Sequence, residues 1–163
     1  ANHQSFLDGL FVSVLLRTEA LKQTYFYAKA EHVRRWWIRA MAKRHNVIVM
    51  DLNGNVKESL QKLAHVLQKG RKIIIFPEGT RSRDGSLGPF KETFAILGAE
   101  LGVPIVPVSI NGAFKVLPAG RRLPRPFRRV HVSFLDPVYP ESESYQALAE
   151  RVFSAVRTQL SQS

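Results

Sequence analysis

The chain has 163 residues, of which 45% are hydrophobic and 23% are charged. Its length predicts one domain, at roughly 100–200 residues per domain, and its composition excludes a disordered, collagen-like or coiled-coil chain. It has no cysteine, which excludes a disulfide framework, a thiol nucleophile and cysteine-ligated metal. Lys and Arg number 24 against 13 Asp and Glu, a net charge of +11. Such a surplus favours an anionic partner: a nucleic acid, a membrane surface or a phosphate-bearing substrate.

The first half of the chain alternates between helical and strand patterns. Residues 8–16 carry apolar side chains at helical spacing, and residues 24–28 are aromatic and β-prone, which predicts a helix and then a strand. Residues 33–44 place their apolar side chains on one helical face. Residues 47–50 are a short apolar run typical of a buried strand, and residues 56–69 form an amphipathic helical pattern.

The second half continues the alternation and sets the predicted fold class. Apolar runs predict strands at residues 73–76, 105–110 and 130–135, and helical patterns cover residues 92–101 and 145–160. Alternating helices and short apolar strands are typical of an α/β fold, in which helices flank a mostly parallel sheet. We expect residues 1–163 to form a single domain of this class.

The start of the chain shows neither a signal peptide nor a membrane-spanning segment. The longest apolar run near it, residues 9–16, is shorter than the ~18 residues that a spanning helix needs. The chain begins with Ala1 rather than Met. We therefore expect it to be a piece of a longer protein.

His3 and Asp8 lie five residues apart at the predicted junction between a loop and a helix. A carboxylate that binds one imidazole nitrogen fixes the tautomer and stabilises the imidazolium, which leaves the other nitrogen free to act as a general base. The spacing alone is also compatible with chance, with Asp8 serving as a helix cap.

The segment Phe76-Pro-Glu-Gly-Thr-Arg-Ser-Arg-Asp-Gly85 directly follows a predicted buried strand. Sites in open α/β sheets lie beyond the carboxyl ends of the strands, and a glycine, a hydroxyl and two arginines there suit a phosphate. Lys91 is a candidate to join Arg81 at that phosphate. The alternatives are a solvated loop with a turn at Asp84-Gly85, and a surface lysine before a helix.

Residues 112–129 are the least regular part of the chain and contain a cluster of arginines without an acidic residue. The cluster suits a membrane or nucleic-acid surface, or simply a solvated loop. Its members are Arg121, Arg122, Arg125, Arg128 and Arg129.

Together these motifs resemble the glycerophospholipid acyltransferase family, whose best-known members are lysophosphatidic acid acyltransferases. The family's first motif, N-H-x-S-x-x-D, is matched by Asn2, His3, Ser5 and Asp8. Its third, F-P-E-G-T-R-S, is complete at residues 76–82, and its fourth, V-P-I-V-P-V, at residues 103–108. The order and spacing of the motifs also fit, over residues 2 to 138. The resemblance implies an acyltransferase-like fold that lacks the N-terminal elements preceding the histidine in the family.

The resemblance also implies an activity and a set of site residues. His3, oriented by Asp8, is the expected general base, and it removes a proton from a hydroxyl of a lysophospholipid of the 1-acylglycerol-3-phosphate or 2-acylglycerophosphoethanolamine type. The acyl donor is acyl-CoA or acyl carrier protein; no metal or further cofactor is implied. The residues expected at the acceptor phosphate are Glu78, Gly79, Thr80, Arg81 and Lys91.

Two departures from the family pattern bear on the acceptor. Asp51 ends the second-motif strand where the family usually has an arginine, and Thr93 stands where glycine is usual after the lysine. These features look more like acyltransferase domains fused to acyl-CoA or acyl carrier protein synthetases, which re-acylate lysophosphatidylethanolamine. We expect a cytoplasmic enzyme that is peripheral on an anionic membrane surface and does not bind nucleic acid. The alternative is a non-catalytic basic module that binds anionic lipid or nucleic acid.

Overall fold

A computed structural model describes residues 1–29, 47–50, 56–121 and 123–162. The chain divides into two compact units, one of residues 16–75 and one of residues 1–15 and 76–163. The helix predicted at residues 33–44 lies outside the described residues. The expectation of a single domain stays a prediction.

The unit of residues 16–75 contains a parallel sheet of three described strands. These are β1 (Thr24–Lys29), β2 (Val47–Met50) and β3 (Lys72–Ile74), in the order β2-β1-β3. Phe26 pairs with Val47 on one side of β1, and Thr24 pairs with Lys72 on the other. The helix predicted before β3 spans Val56–Gln68 (α3), contacts β3 and buries Leu63 completely. The predicted parallel α/β arrangement is confirmed here.

The unit of residues 1–15 and 76–163 is built around helices and a two-stranded antiparallel ladder. The helices are α1 (Asp8–Leu15), α4 (Thr93–Leu101), α5 (Ala113–Val116) and α6 (Tyr145–Ser161), and the strands are β4 (Val108–Asn111) and β5 (His131–Phe134). Helix α6 packs against both α4 and β4. It buries Leu148, Val152 and Val156 at a spacing of four residues, as the apolar periodicity of this segment predicts.

The strand predicted at residues 105–110 is shorter in the structure. Only Val108–Asn111 joins the ladder, and Ile105 forms an isolated bridge with Val138. Pro107 lies between the bridge and the ladder and has no backbone N–H to donate, which explains the break there. The run at residues 130–135 pairs antiparallel with β4 rather than extending a parallel sheet.

Two short helices were not predicted from the pattern. Helix α2 (Thr18–Lys22) precedes β1, and α5 lies within residues 112–129, the part predicted to be irregular. Both have four or five residues, too few to show a helical period in the sequence.

Candidate active site

The His3 and Asp8 side chains form a hydrogen-bonded pair where α1 begins. His3 Nδ1 lies 2.9 Å from Asp8 Oδ2, and Asp8 is 0% exposed. The same carboxylate oxygen accepts hydrogen bonds from the backbone N–H groups of Gln4 and Ser5, each at 2.7 Å. An ordinary helix cap accepts from residues that follow it, whereas Asp8 binds residues that precede it. Asp8 therefore holds the loop that carries His3.

This pairing sets which imidazole nitrogen is free. A carboxylate can only accept hydrogen bonds, so Nδ1 of His3 carries the proton and donates it to Asp8. The lone pair of Nε2 is then available for a hydroxyl proton. The ring stacks on Phe76 with centroids 4.3 Å apart, and its side chain is 16% exposed. The ring is thus oriented on two sides and still open to a substrate.

Asn2 fixes the beginning of the same loop to β4. Its side-chain amide donates to the Ile110 carbonyl at 2.9 Å and accepts from the Ile110 N–H at 2.7 Å. Both groups are buried, and Asn2 is among the largest fully buried side chains. The amide satisfies both polar groups of one strand residue, as a neighbouring strand would. The histidine is therefore placed relative to a core strand.

Glu78 joins the histidine loop to the segment after residue 75. Its Oε1 accepts from the His3 backbone N–H at 2.6 Å, and its Oε2 accepts from the Gly88 N–H at 2.9 Å. Burial raises the pKa of Glu78, and the hydrogen bonds from these two N–H groups oppose that shift without cancelling it. The backbone on the other side of the histidine is also held, because Ser82 N–H donates to the His3 carbonyl at 2.8 Å.

The remaining residues expected at a phosphate lie along the same segment. Gly79 has φ of +68°, a conformation that favours glycine, and a Cβ there would lie 3.1 Å from Lys91 Nζ. The Arg81 guanidinium lies 5.9 Å from the centroid of the Phe6 ring, while Thr80 is exposed. The structure thus brings Glu78 to His3, Lys91 to Gly79 and Arg81 to the histidine loop.

Several residues that hold this arrangement were not predicted from the sequence as site residues. They are Asn2, Gln4, Phe76 and Gly88. Asn2 and Phe76 stand inside the quoted motifs, so their position was a usable indication. Gln4 and Gly88 also stand in stretches that the sequence singles out, beside His3 and before Lys91, but a side-chain bond to the Gly85 carbonyl and a backbone donor to Glu78 leave no pattern that would predict these contacts.

A cavity of about 280 Å³ lies beside the histidine loop and contains none of the predicted site residues. Gln4, Gly85, Asn111 and Arg157 are among the residues that line it. Within the described ranges, no three His, Asp or Glu side chains are grouped as metal ligands. Nor does any described helix combine the length and apolar character needed to cross a bilayer.

Comparison with known proteins identifies the family. The family model described as Acyltransferase matches residues 1–111. The chain is 36% identical over 124 residues to the chloroplastic 1-acyl-sn-glycerol-3-phosphate acyltransferase BAT2 of Brassica napus, covering 74% of this chain and 34% of that protein. It is 30% identical to a probable 1-acyl-sn-glycerol-3-phosphate acyltransferase of Mycoplasma pneumoniae, covering 76% of this chain and 47% of the relative.

Two further similarities extend over almost the whole chain. A lyso-ornithine lipid O-acyltransferase of Pseudomonas aeruginosa is 29% identical to this chain. The alignment covers 98% of this chain and 66% of that protein. The crystal structure of PlsC, the 1-acyl-sn-glycerophosphate acyltransferase of Thermotoga maritima, superposes with a TM-score of 0.76 at 26% identity, over 99% of this chain and 63% of that one. This chain spans about a third to a half of the first curated relatives it matches. With the predicted motifs and the acyltransferase-like α/β fold both present, the chain belongs to the acyltransferase family that includes the 1-acyl-sn-glycerol-3-phosphate acyltransferases.

Proposed function

We propose that the chain is a glycerolipid O-acyltransferase that moves a fatty acyl group from a thioester donor to the hydroxyl of a lysolipid. The observation that carries the proposal is the His3–Asp8 pair, with Nδ1 held at 2.9 Å and the opposite ring nitrogen left for substrate. According to their names, the relatives described above act on 1-acyl-sn-glycerol-3-phosphate or on lyso-ornithine lipid. A lysolipid acceptor is their common chemistry.

In the proposed reaction, Nε2 of His3 takes the acceptor's hydroxyl proton as the oxygen attacks the thioester carbonyl. Asp8 stabilises the imidazolium that forms. The tetrahedral intermediate then breaks the carbon–sulfur bond, and the imidazolium returns its proton to the leaving thiolate. The products are an ester and a free thiol, and no covalent enzyme intermediate is required. Base catalysis of this kind contributes about 10²–10⁴ in rate, and holding both substrates in place supplies a further part.

The cationic side chains beside the histidine loop are proposed to bind the acceptor's phosphate. Arg81 lies over Phe6 and the Lys91 ammonium lies close to Gly79, so both charges border the loop of the expected base. Thr80 is exposed and offers a hydroxyl donor. Glu78 has both carboxylate oxygens occupied by backbone N–H groups, which favours a positioning role. The donor is proposed to be acyl-CoA or acyl carrier protein, at an anionic membrane surface, with no further cofactor.

The proposal is tested by thiol release from palmitoyl-CoA or palmitoyl-acyl carrier protein, with lysophosphatidic acid, lysophosphatidylethanolamine and lyso-ornithine lipid as acceptors. We expect acceptor-dependent release, reduced about 10²–10⁴-fold in His3→Ala. His65→Ala, at an exposed histidine of α3, is the matched control and should keep full activity. Equal release by His3→Ala and the unaltered chain would show that His3 is not the base.

The acceptor phosphate is tested by Arg81→Gln. An arginine–phosphate contact is a charge-assisted pair, and its loss should raise KM for lysophosphatidic acid by about 10–100-fold. The change in kcat should be small because ground state and transition state lose the same binding. Arg71→Gln, at an exposed arginine outside the predicted site, is the control. An equal rise in KM for an acceptor without phosphate would rule out a phosphate contact.

A further inference from the structure

A loop at residues 117–130 presents large apolar side chains to solvent. Phe127 is 102% exposed and Leu123 is 78% exposed, the two highest values among the large hydrophobic residues that the structure describes. Single exposed apolar residues are common on protein surfaces. Two almost fully exposed ones, four residues apart in one loop, form a feature that more often marks an interaction site.

The same loop carries a concentrated positive charge. The sequence has no acidic residue between Glu100 and Asp136. The described arginines of the loop are all exposed, and none of their guanidinium groups forms an ion pair with another described residue. They are Arg121, Arg125, Arg128 and Arg129. A surface with a net positive charge and two exposed apolar side chains, Leu123 and Phe127, fits a partner that is both anionic and rich in hydrocarbon.

Backbone contacts fix the loop at two points. The Arg125 N–H donates to the Val116 carbonyl at 2.8 Å, and a Cβ on Gly112 would lie 2.4 Å from the Arg129 carbonyl oxygen. Three prolines, at positions 118, 124 and 126, restrict the backbone further. Phe127 has φ of +57°, which is unusual for a bulky residue, and its side chain is fully exposed.

We propose that the loop of residues 117–130 docks the protein on an anionic lipid bilayer, with Leu123 and Phe127 inserted into the interface and the arginines on lipid phosphates. Stable membrane association generally combines an apolar insertion with a basic surface, and this loop contains both. The inference rests on the proposed function, in which the acceptor is a membrane lipid. A nucleic acid would explain the arginines and not the exposed Leu123.

The first test measures partitioning onto vesicles of phosphatidylcholine with and without phosphatidylglycerol. Leu123→Ser combined with Phe127→Asn removes both exposed apolar side chains, and asparagine tolerates the positive φ of residue 127. We expect partitioning onto the anionic vesicles to fall about tenfold or more, and about fivefold for each of Arg125→Gln and Arg128→Gln. Tyr139→Asn, at an aromatic residue that is 62% exposed outside the loop, is the control and should change little.

The second test reports insertion directly. Because the chain has no cysteine, Phe127→Cys can be labelled at one site with an environment-sensitive fluorophore. We expect a blue shift on anionic vesicles and none for labelled Tyr139→Cys. Vesicle binding without a shift at position 127 and without loss in the double variant would overturn the proposal. Loss of DNA binding in the arginine variants with unchanged vesicle binding would overturn it in favour of a nucleic-acid surface.

Activity on a short-chain lysolipid below its micelle concentration separates this proposal from the proposed function. The loop variants should keep the rate of the unaltered chain on that dispersed acceptor, because the loop is not part of the catalytic arrangement. If acceptor-dependent thiol release is absent throughout while vesicle binding follows the loop, the proposed function fails and the docking surface stands. If release is present and vesicle binding ignores the loop, the docking surface fails.

Discussion

Asp8→Asn should lower kcat by about 10²–10⁴-fold while leaving the protein folded. Asparagine has the shape of the carboxylate, and its amide oxygen can still accept from the Gln4 and Ser5 N–H groups. It carries no charge to stabilise the imidazolium that forms as His3 takes the proton. If the amide NH2 faces the ring instead, it donates to Nδ1 and moves the imidazole proton to Nε2, the nitrogen that should act as base.

The second carboxylate oxygen of Asp8 makes the substitution informative. Asp8 Oδ1 is buried and has no hydrogen-bond partner among the described residues. An asparagine that keeps its oxygen at the Oδ2 position places its NH2 there, without an acceptor, which costs about 1–3 kcal/mol of stability. We therefore expect a modest fall in Tm together with the large fall in kcat. Nitrogen NMR of the His3 ring would show which nitrogen is protonated.

Asp84→Asn is the matched control for this experiment. Hydrogen bonds from Ser86 and Ser82 lower the pKa of Asp84 to about 2, so this carboxylate is ionised, and like Asp8 it accepts several hydrogen bonds. It contacts loop hydroxyl groups rather than an imidazole. The control should therefore retain most of its activity. An equal loss of kcat in both variants would mean that the loss reflects general disturbance of these loops and not the charge beside His3.

The sequence was sufficient for features that depend on local spacing. The apolar runs of β1 to β3 and the helical period of α3, α4 and α6 predicted these elements to within a few residues of their observed ends. The spacing of His3 and Asp8 alone was compatible with chance, and it was the resemblance to the acyltransferase motif that pointed to the pair, which the structure shows in contact. In each case the information lies in one short segment, where side-chain period and backbone geometry are directly linked.

Features that depend on distant backbone groups were not predictable in this way. The bond from the His3 N–H to Glu78 joins residues 75 positions apart, and every residue except proline has such an N–H. The antiparallel pairing of β4 with β5 is similar, because an apolar run does not record the direction of its partner strand. The arrangement of the site therefore had to come from the structure, even though most of its chemical groups were identified beforehand.

Glu78→Ala should reduce both stability and activity. It leaves the N–H groups of His3 and Gly88 without their carboxylate partner, and each loss costs about 1–3 kcal/mol. Water can reach part of the site, so we expect a total loss of about 2–4 kcal/mol in the free energy of unfolding. Displacement of the His3 backbone also lowers kcat, since a base moved by about 1 Å can lose on the order of 10²-fold in rate.

The split between kcat and KM decides what Glu78 does. A carboxylate that positions His3 should affect kcat and Tm together and leave KM for the acceptor nearly unchanged. Direct contact with the acceptor would instead raise KM. Gly88→Ala perturbs the same contact from the other side, because its Cβ would lie 2.9 Å from Glu78 Oε2, and it should reproduce the effect. Glu92→Gln, at an exposed glutamate nearby, should change neither quantity appreciably.

Glu78→Gln separates the titration of the Glu78 carboxyl from the loss of its side chain. The measured quantity is the free energy of unfolding as a function of pH. Burial raises the pKa of Glu78 in the folded protein above its ordinary value of 4.5, so the folded state binds more protons than the unfolded state in that window. The contribution of this group to stability is therefore present below pH 4.5 and is lost as the pH rises through the raised value. Glutamine does not titrate, and its amide NH2 faces either the His3 or the Gly88 N–H, so one of the two hydrogen bonds is lost at every pH. Denaturant unfolding at a series of pH values should show the Gln variant less stable throughout and without this part of the decline. Parallel pH curves for the two proteins would mean that Glu78 titrates alike in the folded and unfolded states, and would rule out a raised pKa for this carboxyl.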